Sequence, residues 1–212
     1  MKNLSDFREE YRKGELHESE MLADPLEQFK VWMDDAINSH LSEPNAMAVA
    51  TSTPDGKPSI RVVLLKEVNE RGFVFYTNYR SRKGREIEKN PQASIVFDWH
   101  PIERQVRIEG KVLKVSAEES DRYFDSRPEG SKIGAWVSPQ SEIVENREAL
   151  DKMQEETERR FVGKTIVRPP HWGGYIVIPE VVEFWQGRPS RLHDRVAYYK
   201  TEDGWQMKRM AP

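Results

Sequence analysis

From residue 24 onward the chain alternates between two hydrophobic rhythms, and the switches between them mark its elements. Behind Asp24 and Pro25, the residues Leu26, Phe29, Met33 and Ile37 recur at steps of three and four, which places them on one face of a helix. Asp24 can cap that helix, Pro25 suits its first position, and Glu27 stands three residues after the cap. From Ala46 the rhythm shortens. AMAVATS, SIRVVLLKEV and FVFYTN are separated by the turn-forming TPDGKP and NERG, and SIVFDW and QVRIEGKVLKV follow around the bend HPIER. Five such strands in about 70 residues predict an antiparallel meander closing into a small barrel or sandwich, not alternating βα units. SRKGREIEKN interrupts the meander as a short helix stopped by Pro91. Ser116 and Glu119 form a capping box that opens the helix AEESDRYFDS, which Pro128 must end. SEIVENREALDKMQEETERRF predicts a mostly exposed helix, after which GGYIVI, EVVEFWQ, HDRVAYYK and GWQMKRM return to strands with TEDG as a turn. The polar residues 1–25 are expected to form a mobile N-terminal segment, and 26–212 a single domain without repeats or an internal linker.

Composition narrows the chemistry. Of the 212 residues, 37% are hydrophobic and 33% charged, with six Trp, seven Tyr and eight Phe, enough for a core under a solvated surface. The longest apolar run, 46–50, is far below the roughly 20 residues that cross a bilayer. The N-terminal MKNLSDFREEYRKGEL lacks the apolar centre of a secretory signal, so a cytoplasmic location is expected, with no membrane partner. Zero cysteines exclude disulfides, thiolate metal centres and a cysteine nucleophile, and leave redox chemistry to a bound cofactor. A net charge of -3 provides no global field for nucleic acid. His17, His40, His100, His171 and His193 show no metal-ligand spacing, and neither a GxSxG elbow nor a P-loop is present.

Local clusters are more informative. In SRKGR, Ser81 stands where a strand hands over to a helix, and Arg82 and Lys83 occupy the first turn, where cations oppose the helix dipole unless an anion sits there. A solvated, slightly unfavourable helix start is the alternative. Tyr123 and Arg127 share a helix face, and with Ser131 they would suit a phosphate monoester, although Pro128 interrupts the helix before Ser131 and a surface contact is the plainer reading. In RLHDR, Arg191, His193 and Arg195 alternate and would project from one strand face near Trp185, either toward a polar ligand or as charges guarding an edge strand. Arg61 and Lys66, five apart, fall on opposite faces of a regular strand. One pocket could use both only through a twist, a bulge or a subunit interface.

VEFWQGRPSRLHDR, at 182–195, resembles the C-terminal signature of the pyridoxine 5'-phosphate oxidases, flavin enzymes that make pyridoxal 5'-phosphate. RVVLLK, FYTNYRSRKGREIEKNP, ERQVRIEG, YFDSRPEGSKIGAWVSPQS, PPHWGGYIV and KRMAP resemble family segments in the same order. The resemblance implies an α+β, mainly antiparallel split β-barrel with peripheral helices, binding flavin mononucleotide (FMN) at a homodimer interface. It assigns Arg61, Val62, Val63, Leu64, Leu65, Lys66, Tyr76, Thr77, Arg82 and Lys83 to the flavin, with the cations at its phosphate and ribityl end. Gln105, Gln140, Ser141, Trp185 and Arg195 would also surround it, some of them from the second subunit. Lys66, Tyr123, Arg127 and Ser131 would hold the substrate phosphate, and Arg191 and His193 would act at the pyridine ring as the catalytic pair. Arg8 and Tyr11 match a mobile segment that closes over the substrate. Met210, where the family usually has leucine, and the variable Arg188-Pro189 pair depart from the pattern without touching a matched site.

The implied reaction moves a hydride from C4' of pyridoxine or pyridoxamine 5'-phosphate to flavin N5, with dioxygen as the final acceptor and hydrogen peroxide released. A flavin or deazaflavin reductase on the same barrel would leave Tyr123, Arg127, Ser131 and RLHDR without a purpose. A flavin or pyridoxal phosphate carrier would bind without turnover.

Overall fold

The computed structural model describes residues 3–6 and 9–212, so Arg8 lies outside the described residues. Nine strands are found among them: β1 (Ala46–Ser52), β2 (Pro58–Leu64), β3 (Glu67–Asn69), β4 (Gly72–Asn78), β5 (Gln92–Trp99), β6 (Arg104–Lys114), β7 (Trp172–Gln186), β8 (Asp194–Thr201) and β9 (Gly204–Arg209). They form one antiparallel sheet in the order β2-β1-β5-β6-β7-β4-β3, with β8 and β9 continuing from β7. The helices are α1 (Pro25–Asn38), α2 (Arg82–Lys89), α3 (Ala117–Ser126), α4 (Glu129–Val137) and α5 (Arg147–Phe161). The expected split β-barrel with peripheral helices is what the chain builds.

Strand β7 creates the split. GGYIVI and EVVEFWQ, expected as two strands, are one strand that pairs with β6 from Tyr175 to Gln186. Its first half also pairs with β4, and its second half with β8. The register shifts between Glu109 and Gly110, opposite Pro179. Proline has no N–H for the ladder, and a bulge is where a strand tolerates it. A Cβ on Gly110 would stand 2.0 Å from the Ile178 carbonyl oxygen, so the strands approach this closely only with glycine there.

Helix α1 plugs the barrel. Its cap is as expected, with the Asp24 carboxylate accepting from the Leu26 N–H at 2.8 Å, but Glu27 pairs with Lys30 at 2.7 Å and closes no capping box. The inward face is Leu26, Phe29, Trp32 and Ala36, whereas Met33 is half-buried and Ile37 is 51% exposed. The helix is rolled toward its largest apolar side chain: Trp32 meets Phe184 edge-on at 5.0 Å, and the Arg104 guanidinium covers it at 4.4 Å. Phe29 sits 4.9 Å from both Phe73 and Phe97.

Three local expectations change. SIRVVLLKEV breaks after Leu64 into β2 and β3. Pro128 ends one helix and precedes another, α4. The exposed helix begins at Arg147, not Ser141, because Asn146 caps it, accepting from the Ala149 N–H at 2.8 Å. Residues 12–22 lie along the β6–β8 side, with the Arg12 and Lys13 N–H groups donating to Glu103 at 2.8 Å and Leu16 buried in the core. Among the described residues no helix is long and apolar enough to cross a membrane.

Candidate active site

One cavity of about 1050 Å³ is walled by β2, β4, α2 and the α3–α4 turn. Its cationic end is built by local rules. The Ser81 hydroxyl caps α2 by accepting from the Gly84 N–H, and a Cβ at Gly84 would stand 2.0 Å from the Tyr79 carbonyl oxygen, so the helix start is pressed against the end of β4. Its first turn holds Arg82 and Lys83 and no acid. Lys83 is buried, and its Nζ donates to the neutral acceptors Thr77 Oγ1 at 3.0 Å and Ser81 Oγ and Gln140 Oε1 at 3.4 Å. Burial, and after it the Arg61 charge, pull its pKa down to about 8. Arg61 arrives from β2, donating to Thr51 Oγ1 at 2.7 Å and to the Val49 carbonyl at 3.1 Å.

The other end is aromatic, with the half-buried Arg127 against it. Tyr76 and Tyr123 stack at 3.9 Å and 15°, and Trp172 continues the stack 5.6 Å from Tyr76. The Arg127 guanidinium lies 4.6 Å over Trp172, and its Nη1 is buried with no hydrogen-bond partner among the described residues. A buried donor left unmade costs about 1–3 kcal/mol, more for a charged group. Pro128, expected to disrupt the Tyr123–Arg127–Ser131 set, assembles it: the chain turns there, and all three residues line the cavity.

The strand break after Leu64 resolves the Arg61–Lys66 question within one chain. Leu65 points into the core, and Lys66, no longer in strand alternation with Arg61, lines the same cavity. Val62, Val63, Leu64, Tyr76, Thr77, Gln140 and Ser141 line it too. Of the residues expected at the flavin between Arg61 and Lys83, Leu65 alone does not.

Gln105, Trp185, Arg191, His193 and Arg195 do not line this cavity; they occupy the β6–β8 side, as does Tyr11. Gln105, Trp185 and Arg195 are in register across β6, β7 and β8. The Trp185 ring lies 4.7 Å from His193 and 5.7 Å from Tyr11. A Cβ on Gly187 would come within 2.7 Å of the Tyr11 ring, so this contact requires glycine. Arg191, His193 and Arg195 do not alternate along a strand as expected, because Ser190 and Arg191 adopt left-handed conformations (φ 58° and 61°) and β8 begins only at Asp194. The Arg188 N–H donates to His193 Nδ1 at 3.1 Å, and burial, with the Arg191 charge second, lowers the His193 pKa. Arg195 grips Glu183 through two hydrogen bonds of 2.7 and 3.0 Å, which raise its pKa.

Four contributors escaped the sequence reading: Glu86, Ser59, Trp172 and Glu183. Glu86 was findable, since it stands four residues after Arg82 on a helix, a pairing distance. The others are set by cross-strand neighbours and carry no local signal. An orphaned guanidinium nitrogen, a buried ammonium with neutral partners and a flat aromatic stack fit a ligand with planar rings and phosphate. Among the described residues no group of three His, Asp or Glu side chains could hold a metal.

The chain matches the family model described as pyridoxamine 5'-phosphate oxidase over residues 33–160, and the one described as the pyridoxine 5'-phosphate oxidase C-terminal dimerisation region over 172–212. It is 53% identical to the pyridoxine/pyridoxamine 5'-phosphate oxidase of Thermosynechococcus vestitus over the full length of both chains. It is also 53% identical to that of Rubrobacter xylanophilus, covering 100% of this chain and 97% of the other. Among solved structures, PhzG from Burkholderia lata in complex with tetrahydrophenazine-1-carboxylic acid superposes with a TM-score of 0.87 at 31% identity, over 93% of this chain and 98% of that one. A related FMN binding protein from Nostoc punctiforme, 18% identical, shares the fold with a TM-score of 0.71 over 91% of this chain and 100% of that one.

Proposed function

Because the chain belongs to the pyridoxine/pyridoxamine 5'-phosphate oxidase family, we propose that it oxidises pyridoxine and pyridoxamine 5'-phosphate to pyridoxal 5'-phosphate with FMN as cofactor and dioxygen as final acceptor, releasing hydrogen peroxide and, from the amine, ammonia. The observation that carries this reading is that one cavity has two separate cationic ends. Arg61, Arg82 and Lys83 would take the flavin phosphate at the start of α2. Lys66, Tyr123, Arg127 and Ser131 would take the substrate phosphate, satisfying the orphaned Arg127 Nη1. Bound flavin supplies the hydride acceptor for C4'.

The residues around it bind and orient. Clamping the non-reacting phosphate spends binding energy on placing C4', which is how such contacts accelerate a step. Arg191 and His193 act at the pyridine ring. Because His193 Nδ1 accepts from the Arg188 N–H, the neutral ring carries its proton on Nε2 and presents a donor there. These two residues, with Gln105, Trp185 and Arg195, reach the cavity of the partner in a homodimer. Ile60 and Val62, both 68% exposed on the edge strand β2 at the cavity, offer the apolar surface such an interface needs. Tyr11, whose ring meets those of Trp185 and His193, would cover the substrate from the N-terminal segment. We place the reaction in the cytoplasm.

Adding pyridoxine 5'-phosphate to the FMN-loaded protein in air should release hydrogen peroxide. A carrier would release none, and that result would contradict the reading.

A further inference from the structure

Beneath the cationic end lies a carboxylate with no part in the proposed chemistry. Glu86, one turn into α2, is 4% exposed. Its Oε2 accepts from the Thr51 and Ser59 hydroxyls, both at 2.5 Å, and lies 3.6 Å from Arg61 Nη2. Its Oε1 accepts from Arg82 Nε at 2.9 Å. Arg61 closes the network by donating to Thr51 Oγ1 and Ser59 Oγ. Burial pushes the Glu86 pKa up, but the hydrogen bonds from Ser59, Thr51 and Arg82 outweigh it and hold the group near 2, ionised at any working pH. One negative charge against Arg61, Arg82 and Lys83 leaves a net charge of two positive units when Lys83 is protonated, equal and opposite to a phosphate monoester dianion.

We infer that Glu86 is a positioning residue for the flavin phosphate: from behind the cradle it holds Arg61 and Arg82 in their receiving geometry before the cofactor arrives. The inference rests on the FMN reading above. A guanidinium on a long flexible stem loses rotamer freedom when it grips an anion, and a buried partner that has already fixed it removes that cost from binding. Glu86 also has an opposing effect, since its charge repels a phosphate. If repulsion dominated, removing the charge would tighten binding; if positioning dominates, removal weakens it.

The test is Glu86→Gln, stripped of flavin and titrated with FMN and with riboflavin by flavin fluorescence, with thermal unfolding followed with and without FMN. Loss of a charge-assisted hydrogen-bond network should weaken FMN binding roughly tenfold while leaving riboflavin binding nearly unchanged. FMN should then raise the melting temperature of the variant less than that of the wild type. Ser59→Ala, which removes one relay to Arg61, should shift FMN affinity the same way by less, and it stands in if Glu86→Gln does not fold. FMN binding as tight as or tighter than wild type, or an equal loss for riboflavin, would overturn the inference alone. Wild-type protein that takes up no FMN would overturn the flavin reading and the inference with it.

Discussion

The basic residues around the cavity and those on the β7–β8 side differ in what holds them. Lys83 has neutral partners, and Arg127 keeps a buried nitrogen without one. On the other side Arg195 grips Glu183, Arg188 meets Glu15 and Asp194, and Arg209 binds Glu18 and Asp194. A folded chain that leaves cations unpaired in a cavity keeps their hydrogen-bonding capacity for a ligand. Cations paired internally hold loops in place. Arg61 and Arg82 combine both roles, since Glu86 holds them while they line the cavity.

This contrast can be broken by mutation. Arg127→Ala should raise KM for pyridoxine 5'-phosphate most, by about 2–3 kcal/mol or roughly 30- to 150-fold, with a smaller change in kcat, in steady-state assays. Arg191→Ala should instead slow flavin reduction, by roughly tenfold or more, and change KM less. The same substitution should raise the His193 pKa, because the Arg191 charge lowers it now; an NMR titration of the imidazole showing no upward movement would count against the proximity of the two. FMN affinity should be full near pH 7 and fall as the pH rises through 8. Burial has lowered the Lys83 pKa to about 8, and only the protonated ammonium attracts the phosphate, so affinity leaves with the proton. A flat profile from pH 7 to pH 9.5 would remove Lys83 from the phosphate. Arg147→Ala, at the exposed Arg147–Asp151 pair on α5, should change neither stability nor turnover measurably, as for most surface ion pairs.

What the chain reveals in advance follows the range of the forces involved. The caps at Asp24 and Ser116 were legible because a cap is settled by a side chain and an amide two or three residues away. The roll of α1 toward Trp32 was not, since Phe184 and Arg104 decide it from distant strands. Pro179 resembled a strand break because its ladder position, opposite the Gly110 bulge, exists only once β6 has paired. At the site, the pattern suggested an anion at Ser81–Lys83 but could not join it to Tyr123 and Arg127, which the turn at Pro128 brings to the same cavity. The family resemblance named the cations that line the cavity, Arg61, Lys66, Arg82, Lys83 and Arg127, yet not the carboxylate behind them, Glu86, whose role depends on hydroxyls from β1 and β2.

The central claim is that one cavity holds a flavin at one end and grips a substrate phosphate at the other. FMN-loaded protein, mixed without oxygen with pyridoxine 5'-phosphate, should lose its visible flavin absorbance in a single turnover, and unphosphorylated pyridoxine at the same concentration should bleach it far more slowly. Equal rates with the two compounds, or no bleaching with either, would contradict the account.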